Sequence, residues 1–481
     1  MPTSQRLRPG VAAALLAACV LVVFVAAPSA FAQCAPRQKA QLLGSDQTCG
    51  LNGCRFGYAT AISGDGNTAI VGAYFDNAQA GAAYIYTRSG NAWIPQSGKI
   101  LPIGGSGGVT GVQYFGSSVS LSADGNTALI GAYGDNTSIG AAYIFVRVNG
   151  VWSQQGPKLT PTGTAGQLVY FGFSCSLSAD GNTALIGAEG DSGYAGSAFV
   201  FVRNGATWTQ QGPKLTPTGG IGVVQWFGSS VAIRGDGNAI IVGGYGDNNF
   251  TGAAYYFVRS GNAWTQTAKL TPQGGVGNLQ YFGASVAISA DGLTVLIGAY
   301  GDNNFVGAAY VMVFAANQWW YQQRLLPVGG VGNQRYGFSV ALSLNGNIGV
   351  IGGPADNGYA GAVYFVQRPS QQIGAWAQYG ARQLNTGGSG PGSLGTAVGL
   401  SHDGDWAIVG ASSDFANAGS AYIWSRSCRA DFNCQSGLNT QDIFDFLNAW
   451  LAGNPAADFN RINGLTTQDI FDYLNAWLAG C

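Results

Sequence analysis

One sequence motif occurs seven times and fills most of this chain. Its second copy begins at Phe115 and reads FGSSVSLSADGNTALIGAYGDNTSIGAAYIFVR. The other copies begin, at spacings of 54 to 59 residues, at Phe56, Phe171, Phe227, Phe282, Tyr336 and, in a degenerate form, Leu394. A period of this length, with several short strand patterns per copy, predicts a repeat architecture in which each unit buries its faces against its neighbours.

Each copy contains four strand patterns. Apolar and polar residues alternate from Val119 to Ser122, and the following Asp-Gly pair favours a tight hairpin turn because it tolerates positive φ angles. The apolar run Thr127 to Ala132 predicts a second strand, and residues 141–147 and 152–159 predict the third and fourth. Seven units of four antiparallel strands predict an all-β, seven-bladed propeller over residues 33–427.

The two ends of the propeller sequence are complementary. The seventh copy contains three strand patterns, the last ending near Arg426, and lacks a fourth. The segment Gln38 to Leu43 resembles the fourth-strand sequence that begins at Gln155. We therefore expect residues 38–43 to complete the last blade and remove an exposed sheet edge.

The first 32 residues have the pattern of an export signal. Arg6 and Arg8 precede an apolar stretch from Val11 to Ala27, and Ala30-Phe-Ala32 fits the small-x-small cleavage rule. We expect residues 1–32 to be removed and the protein to be secreted, either extracellular or at the cell surface. Two alternatives stay open, namely lipidation at Cys19 and an uncleaved anchor.

Seven cysteines follow the predicted cleavage site, and exported chains can keep disulfides. Three of them lie near the N-terminus, namely Cys34, Cys49 and Cys54. Three lie near the C-terminus, namely Cys428, Cys434 and Cys481, and Cys175 stands at a core position. The sequence leaves their connectivity open. We favour a Cys428–Cys481 disulfide because this pair brackets the C-terminal segment.

The composition argues against several functions. Charged residues make up 9% of the chain and the formal net charge is −1, so no basic face for nucleic acid is expected. His402 is the only histidine, so a Ser-His-Asp or Cys-His set and an ordinary zinc site are excluded. A hydrolase that uses only carboxylates remains an alternative.

A second repeat fills the C-terminal segment 428–481. Residues 431–442 precede a helical pattern over 443–453, and both recur 27 residues later. Ile443, Leu447 and Trp450 follow helical spacing. We predict a small all-α domain in which two helices pack on each other, clamped by a metal, a disulfide or both.

The twelve residues before each helix have oxygen-bearing side chains at the spacing of a calcium loop. The predicted ligands of the first loop are Asp431, Asn433, Gln435, the Gly437 carbonyl, Asn439 and Asp442. Those of the second loop are Asp458, Asn460, the Gly464 carbonyl, Thr466 and Asp469. Ile462 has no side-chain oxygen where a ligand is expected, so we predict a weaker second site. A hairpin without metal is the alternative.

This duplicated loop-and-helix pattern resembles a dockerin, and the ending Ala479-Gly-Cys481 is similar to the bacterial GC-type dockerins. The resemblance implies a calcium-stabilised module that binds a cohesin-type protein on a scaffold or cell surface. It also implies that loop positions 10 and 11 contact the partner. Those positions are Thr440, Gln441, Thr467 and Gln468.

The large domain resembles FG-GAP propellers, the architecture of integrin α-subunit heads. Phe115-Gly116 and the run Leu129 to Tyr133 carry this likeness, which extends over residues 38 to 427. The metal-binding members have a longer acidic loop between the first two strands. The turn here, Ser122 to Asn126, is too short for a cation cage, so we expect calcium only in the tail.

Two residue sets recur at the blade ends. An aspartate follows each second strand, where it caps the turn or contributes to an acidic rim: Asp76, Asp135, Asp191, Asp247, Asp302, Asp356 and Asp414. Four aromatic residues precede the copies: Tyr114, Tyr170, Trp226 and Tyr281. They either pack between blades or form a rim that contacts a ligand such as a glycan. One tryptophan per blade in the fourth strand predicts further packing.

Together these features predict an exported, non-catalytic binding or adhesion protein with a calcium-dependent anchor. The alternative is a polysaccharide-active hydrolase or lyase of propeller fold, delivered by the same tail. The near-regular blades favour binding, because a catalytic propeller usually has one or two blades with irregular, charged central loops.

Overall fold

The computed structural model describes residues 36–90, 92–96, 98–106, 111–368, 375–426, 430–432, 438–454, 457–459 and 464–479. Several predicted features lie outside these residues. They are the segment 1–32 with Cys19, the Cys428–Cys481 pair, and the loop residues Asn433, Gln435, Gly437 and Asn460.

The chain folds into seven four-stranded antiparallel sheets, which confirms the predicted seven-bladed propeller. The strands of blades one to three are β2 (Ala59–Ile62), β3 (Thr68–Ala73), β4 (Ala82–Ser89), β5 (Ala92–Pro95), β6 (Phe115–Leu121), β7 (Thr127–Ala132), β8 (Ala141–Val148), β9 (Val151–Gln154), β10 (Phe171–Leu177), β11 (Thr183–Ala188), β12 (Ser197–Asn204) and β13 (Thr207–Gln210).

The remaining blades repeat this order along the chain. Their strands are β14 (Phe227–Ile233), β15 (Ala239–Gly244), β16 (Ala253–Ser260), β17 (Ala263–Leu270), β18 (Phe282–Ile288), β19 (Thr294–Ala299), β20 (Ala308–Ala315), β21 (Gln318–Leu325), β22 (Ser339–Leu342), β23 (Ile348–Gly353), β24 (Ala362–Gln367), β25 (Ala377–Gln378), β26 (Leu394–Leu400), β27 (Trp406–Ala411) and β28 (Ser420–Ser425).

The seventh sheet is completed from the other end of the chain. Strand β1 (Arg37–Leu42) pairs antiparallel with β28, with Arg37 opposite Ser425 and Leu42 opposite Ala421. The first strands of neighbouring blades contact one another in a closed series, in which β26 of blade seven contacts β2 of blade one. These first strands therefore surround the axis of the ring, and each second strand ends where its first strand begins.

The hydrophobic core lies between the blades and not within any one of them. In one cluster, Ile70 and Ile85 of blade one pack with Phe115, Ile130 and Tyr143 of blade two, and all five side chains are buried. Six further clusters repeat this arrangement around the ring. One of these six joins β1 to blades one and seven. Each blade thus depends on its neighbours for burial.

The pair that opens each copy, Phe-Gly in five of the seven, holds neighbouring blades together. Phe115 is fully buried, and Gly116 has a φ of 86°. A Cβ atom on Gly116 would lie 2.3 Å from the Ala82 carbonyl oxygen of blade one. Only glycine permits this left-handed conformation together with such a close backbone approach.

One disulfide joins Cys49 to Cys54 near the N-terminus. It belongs to the N-terminal cysteine cluster, whose connectivity the sequence left open. Cys175 is a free, half-buried thiol, and burial raises its pKa to about 12. Such a thiol is unreactive at neutral pH.

Two helices follow the propeller, α1 (Thr440–Leu451) and α2 (Thr467–Ala479). Phe446 and Tyr473 stack between them with ring centres 3.9 Å apart. The indole NH of Trp450 donates to the Thr466 carbonyl before α2, and Trp477 donates in the same way to Asn439 before α1. The two repeats therefore pack in a reciprocal arrangement. No helix in the described part of the chain is long and apolar enough to cross a membrane.

Candidate functional site

A strained turn follows the second strand of each blade. In six blades this turn spans four residues, namely Asp135–Ser138, Asp191–Tyr194, Asp247–Phe250, Asp302–Phe305, Asp356–Tyr359 and Asp414–Asn417. In blade two the last three residues of this segment have φ angles of 49°, 57° and 69°. Left-handed backbone costs roughly 1–2 kcal/mol for each non-glycine residue, so other contacts must hold these turns.

The aspartate that begins each turn supplies those contacts. In blade two, Asp135 accepts hydrogen bonds from the Ser106 amide at 3.0 Å and from the Tyr143 hydroxyl, and Lys158 lies 2.8 Å away. The seven aspartates are fully buried and each has partners of this kind. They tie the turn to the loop after the fourth strand and do not form an exposed acidic rim.

Blade three uses a variant of this arrangement. Phe199 replaces the tyrosine, and the Ser197 hydroxyl donates to Asp191 at 2.7 Å instead. Burial alone would raise the pKa of Asp191, but hydrogen bonds from the Ala165 amide, Lys214 and Ser197 hold this pKa below its usual value. The carboxylate therefore stays ionised and paired.

These turns place the predicted rim aromatics at one end of the ring. The carbonyl of Ser138, the last residue of its turn, accepts from the amides of Val169 and Tyr170 in the next blade, both at 3.0 Å. The same pattern holds Tyr114 and Trp226. The four predicted rim residues all have positive φ and are half-buried. We call this end of the ring, where first strands begin and second strands end, the aromatic face.

The rim residues contact aromatic residues that follow the second strands. Tyr114 stacks on Tyr133 with ring centres 4.8 Å apart, and Tyr281 stacks on Tyr300 at the same distance. Trp226 lies 4.7 Å from Tyr245. Tyr170 also contacts Tyr133, across the boundary between blades two and three. These rings pack between blades while part of each stays exposed, so packing and ligand contact are compatible at this face.

Glu189 departs from this pattern. It follows β11 at the position that is tyrosine in four other blades, Tyr74, Tyr133, Tyr245 and Tyr300. Its side chain is only 9% exposed, and Oε2 is buried with no hydrogen-bond partner in the part of the chain that the structure describes. Burial raises the pKa of Glu189 to about 8.

The charge of Glu189 affects the pKa of tyrosines from several blades. Burial raises the pKa of Tyr58, Tyr133 and Tyr245, and the charge of Glu189 adds to each increase. It also adds to the increase that burial and Tyr281 produce in the pKa of Tyr300, which reaches about 12. Blades one and five do not adjoin blade three, so the electrostatic influence of Glu189 extends across the ring.

We call Glu189 and the half-buried rings of Tyr58, Tyr133, Tyr245 and Tyr300 the axial site. The repeat pattern did not reveal this site, because the position after the second strand falls within the run, Leu129 to Tyr133 in blade two, that carries the likeness to FG-GAP propellers. A signal was present, since Glu189 is the only glutamate in the whole sequence.

The tail residues of the predicted calcium loops divide into two groups. Asp431, Asp442 and Asp469 are buried, whereas the predicted partner residues Thr440, Gln441, Thr467 and Gln468 are exposed at the starts of α1 and α2. Asp442 accepts from the Asn439 amide at 2.8 Å, and Asp469 accepts from the Thr466 amide at 2.7 Å. These bonds satisfy backbone donors at the helix starts.

The donor set of the tail is chemically suited to calcium. The predicted ligands offer only oxygen atoms, as a hard cation requires. Burial raises the pKa of Tyr473, and the charges of Asp442, Asp445 and Asp431 raise it further, so these carboxylates lie near one ring. Among the residues described, no group of three or more histidine, cysteine, aspartate or glutamate side chains could hold a metal. Asp458 and Gly464 are described, but most of each loop is not.

Comparison with known proteins identifies the repeat. A family model described as an FG-GAP repeat matches residues 37–86, 98–145, 208–257 and 264–312. The chain therefore carries FG-GAP repeats, which confirms that part of the predicted resemblance. Propellers of this kind are typically non-catalytic binding domains. No curated protein matches the chain.

Proposed function

We propose that this FG-GAP repeat protein is an exported, non-catalytic binding protein. Its propeller is the ligand platform, and its dockerin-like tail is a calcium-dependent anchor to a cohesin-type protein on a scaffold or cell surface. The segment 1–32 supports export, because its basic start, apolar stretch and small-x-small ending match a cleavable signal.

The observation that carries the ligand proposal is the buried Glu189 side chain, whose Oε2 has no hydrogen-bond partner among the residues that the structure describes. A buried charge is costly unless an opposite charge or hydrogen bonds compensate it. The other members of the axial site are tyrosine rings, whose faces carry negative electrostatic potential and attract cations. The axial site therefore fits a positively charged group, such as the ammonium or guanidinium of a protein side chain.

Binding of a cation at this site is coupled to proton release. The pKa of Glu189 is about 8, so the free site is largely protonated at pH 7. The carboxylate has to lose its proton to pair with a cation. Affinity should therefore rise about tenfold per pH unit below pH 8 and level off above it.

The test uses n-butylammonium chloride as the probe and n-butanol as its uncharged analogue, with calorimetry on the full chain. We expect the cation alone to bind, with release of a proton that is detected by comparing buffers of different ionisation enthalpy. Glu189→Gln should weaken binding at least tenfold, or about 1.4 kcal/mol. Asp124→Asn, which removes an exposed charge at the opposite end of the ring, is the control. Equal binding of both probes, or an unaffected Glu189→Gln variant, would refute the axial site.

The anchor proposal rests on the duplication of the tail. The reciprocal indole bonds of Trp450 and Trp477 relate the two repeats, and each repeat exposes an equivalent Thr-Gln pair. A partner could therefore bind in either of two orientations. The carboxylates at the ends of the loops support calcium as the clamp.

Calcium should bind the first loop more tightly than the second. The first loop has five side-chain oxygen positions, and the second has Ile462 at one of them. Calcium titration of the full chain, with Asp431→Ala and Asp458→Ala as matched variants, tests this order. The ranking is wrong if Asp458→Ala removes the tighter event and Asp431→Ala does not. Absence of any binding would leave a hairpin without metal.

A further inference from the structure

Four junctions between blades contain the same polar bridge. The tryptophan of each fourth strand donates its indole NH to a glutamine of the preceding blade at 3.0–3.1 Å: Trp152 to Gln96, Trp208 to Gln155, Trp264 to Gln211 and Trp376 to Gln322. In the same blades, a third-strand arginine lies over the tryptophan ring: Arg147, Arg203, Arg259 and Arg368. We call this tryptophan–glutamine pair the staple.

The junction between blades four and five has lost the staple. Thr267 occupies the glutamine position, because it follows Trp264 by three residues as Gln211 follows Trp208. Phe314 stands in place of the arginine. Trp319 keeps the tryptophan position, but its indole NH is buried without a hydrogen-bond partner among the described residues.

A cavity of about 710 Å³ lies at this junction, lined by Trp319, Phe314 and Thr267 among others. Small-molecule sites typically measure about 300–1,000 Å³. The junction between blades seven and one also lacks the staple, since Trp93 has no partner for its indole NH in the described chain. There, however, Trp406 packs edge to face against Trp93 with ring centres 6.2 Å apart.

One side of the cavity is aromatic and aliphatic. The Trp319 ring contacts Tyr256 and Phe314 edge to face, at 4.9 Å and 5.4 Å. Leu293 and Met312 extend this surface. Such a surface suits the CH face of a ring, and the buried indole NH of Trp319 has no acceptor among the described residues, which leaves a hydrogen bond to be gained there.

The other side is polar, and its two cationic side chains are paired with carboxylates. Arg234 pairs with Asp236, and Lys269 lies 2.9 Å from Asp247. Asp291 is close enough to Arg234 to contribute to the raised pKa of that guanidinium, after the larger effect of Asp236. The remaining polar lining is neutral: Thr267, Thr271, Gln273, Asn317 and Gln318. This lining favours a neutral ligand with several hydroxyl groups.

We propose that the cavity between blades four and five binds a short neutral saccharide. A sugar ring packs on Trp319 and Phe314, and one of its oxygen atoms accepts the indole hydrogen of Trp319. The neutral polar side chains bind the other hydroxyl groups. This site is separate from the axial site and takes a different class of ligand, so it extends the proposed function.

The decisive variant is Thr267→Gln. It restores the residue found in the staples, so it should give Trp319 its acceptor, fill part of the cavity and leave the fold intact. The probes are neutral di- and trisaccharides of glucose, galactose, mannose and xylose, measured against the full chain by calorimetry. We expect at least one to bind, and Thr267→Gln to weaken that binding at least tenfold.

Two further variants separate ligand contact from general damage. Trp319→Phe keeps an aromatic ring but removes the indole NH, and should weaken binding about fivefold. Trp208→Phe makes the same change at an intact staple and should leave saccharide affinity unchanged. The proposal is overturned if no saccharide binds at millimolar concentration, or if Thr267→Gln binds as well as the parent. Binding of n-butylammonium at Glu189 is unaffected by either result, so the two proposals fail independently.

Discussion

The turns of the blades and the axis of the ring both contain buried carboxylates, but of opposite character. In blade three the two kinds lie two residues apart. Asp191 has an amide, a hydroxyl and an ammonium as partners, and these hold its pKa below its usual value. Glu189 is buried, its Oε2 has no hydrogen-bond partner in the described part of the chain, and burial raises its pKa to about 8. Burial is common to both, so the partners decide whether a buried acid stabilises the fold or is available to a ligand.

The repeat makes this comparison informative. The turn aspartate occurs in all seven blades, as expected of a group that the blade itself requires. The axial glutamate occurs in one blade, where the other blades have tyrosine, proline or serine. An uncompensated acid at one of seven equivalent positions contributes nothing to the blade, which favours a role in binding.

The largest effect is expected for Asp191→Ala. The change leaves the Ala165 amide and Lys214 without their acceptor, and should lower the free energy of unfolding by about 4 kcal/mol. Chemical denaturation measures this quantity. The double variant Asp191→Ala/Lys214→Ala should lose less, because it removes the unpaired ammonium. If the single and double variants lose the same free energy of unfolding, the ion pair between Asp191 and Lys214 contributes little to stability.

Glu189→Gln should raise the free energy of unfolding at high pH, whereas Asp191→Ala lowers it. The pKa of Glu189 is about 8 in the folded protein and about 4.5 when unperturbed, so between these values the folded state binds one more proton than the unfolded state. The Glu189 contribution to stability therefore falls as pH rises from about 4.5 to 8. At pH 9 the variant should be more stable than the parent by about 3 kcal/mol, because it has no charge to bury. This gain is smaller than the full equivalent of the pKa difference, because nearby half-exposed rings admit some water that screens the charge of the parent.

That gain should vanish near pH 4, where both states of the parent are protonated. Unfolding curves at pH 4, 7 and 9 measure the trend. A variant whose stability relative to the parent is the same at pH 4 and pH 9 would show that Glu189 is not an uncompensated acid. Asp124→Asn, at the opposite end of the ring, is the matched control.

The smallest effect concerns the two versions of the aspartate turn. Ser197→Ala removes one donor to Asp191 and should cost about 1 kcal/mol in free energy of unfolding. Adding Phe199→Tyr rebuilds the arrangement of blade two, where Ala141 and Tyr143 occupy these positions. The double variant should recover most of the loss in chemical denaturation. Failure to recover would mean that the seven turns are not interchangeable.

The period of the motif and its strand patterns were sufficient to predict the propeller. The match between Gln38–Leu43 and other fourth strands indicated the same pairing that β1 makes with β28. These inferences succeed because repeated units impose one geometry seven times. The aspartates were more ambiguous, since a carboxylate after a strand can bind ligands or hold a turn. Their burial settles that question, as does hydrogen bonding to amides and hydroxyls, for example to the Tyr143 hydroxyl in blade two.

The sequence by itself determined the number of blades, the strand order and the places where glycine is required, because these follow from local periodicity and backbone sterics. Only the tertiary structure decided which departures from the repeat matter. Glu189 gained significance from tyrosines of blades one, four and five, and Trp319 from the missing glutamine of the blade before it. Both depend on residues far apart in the chain, and the packing of the blades around one ring is what brings these residues near one another.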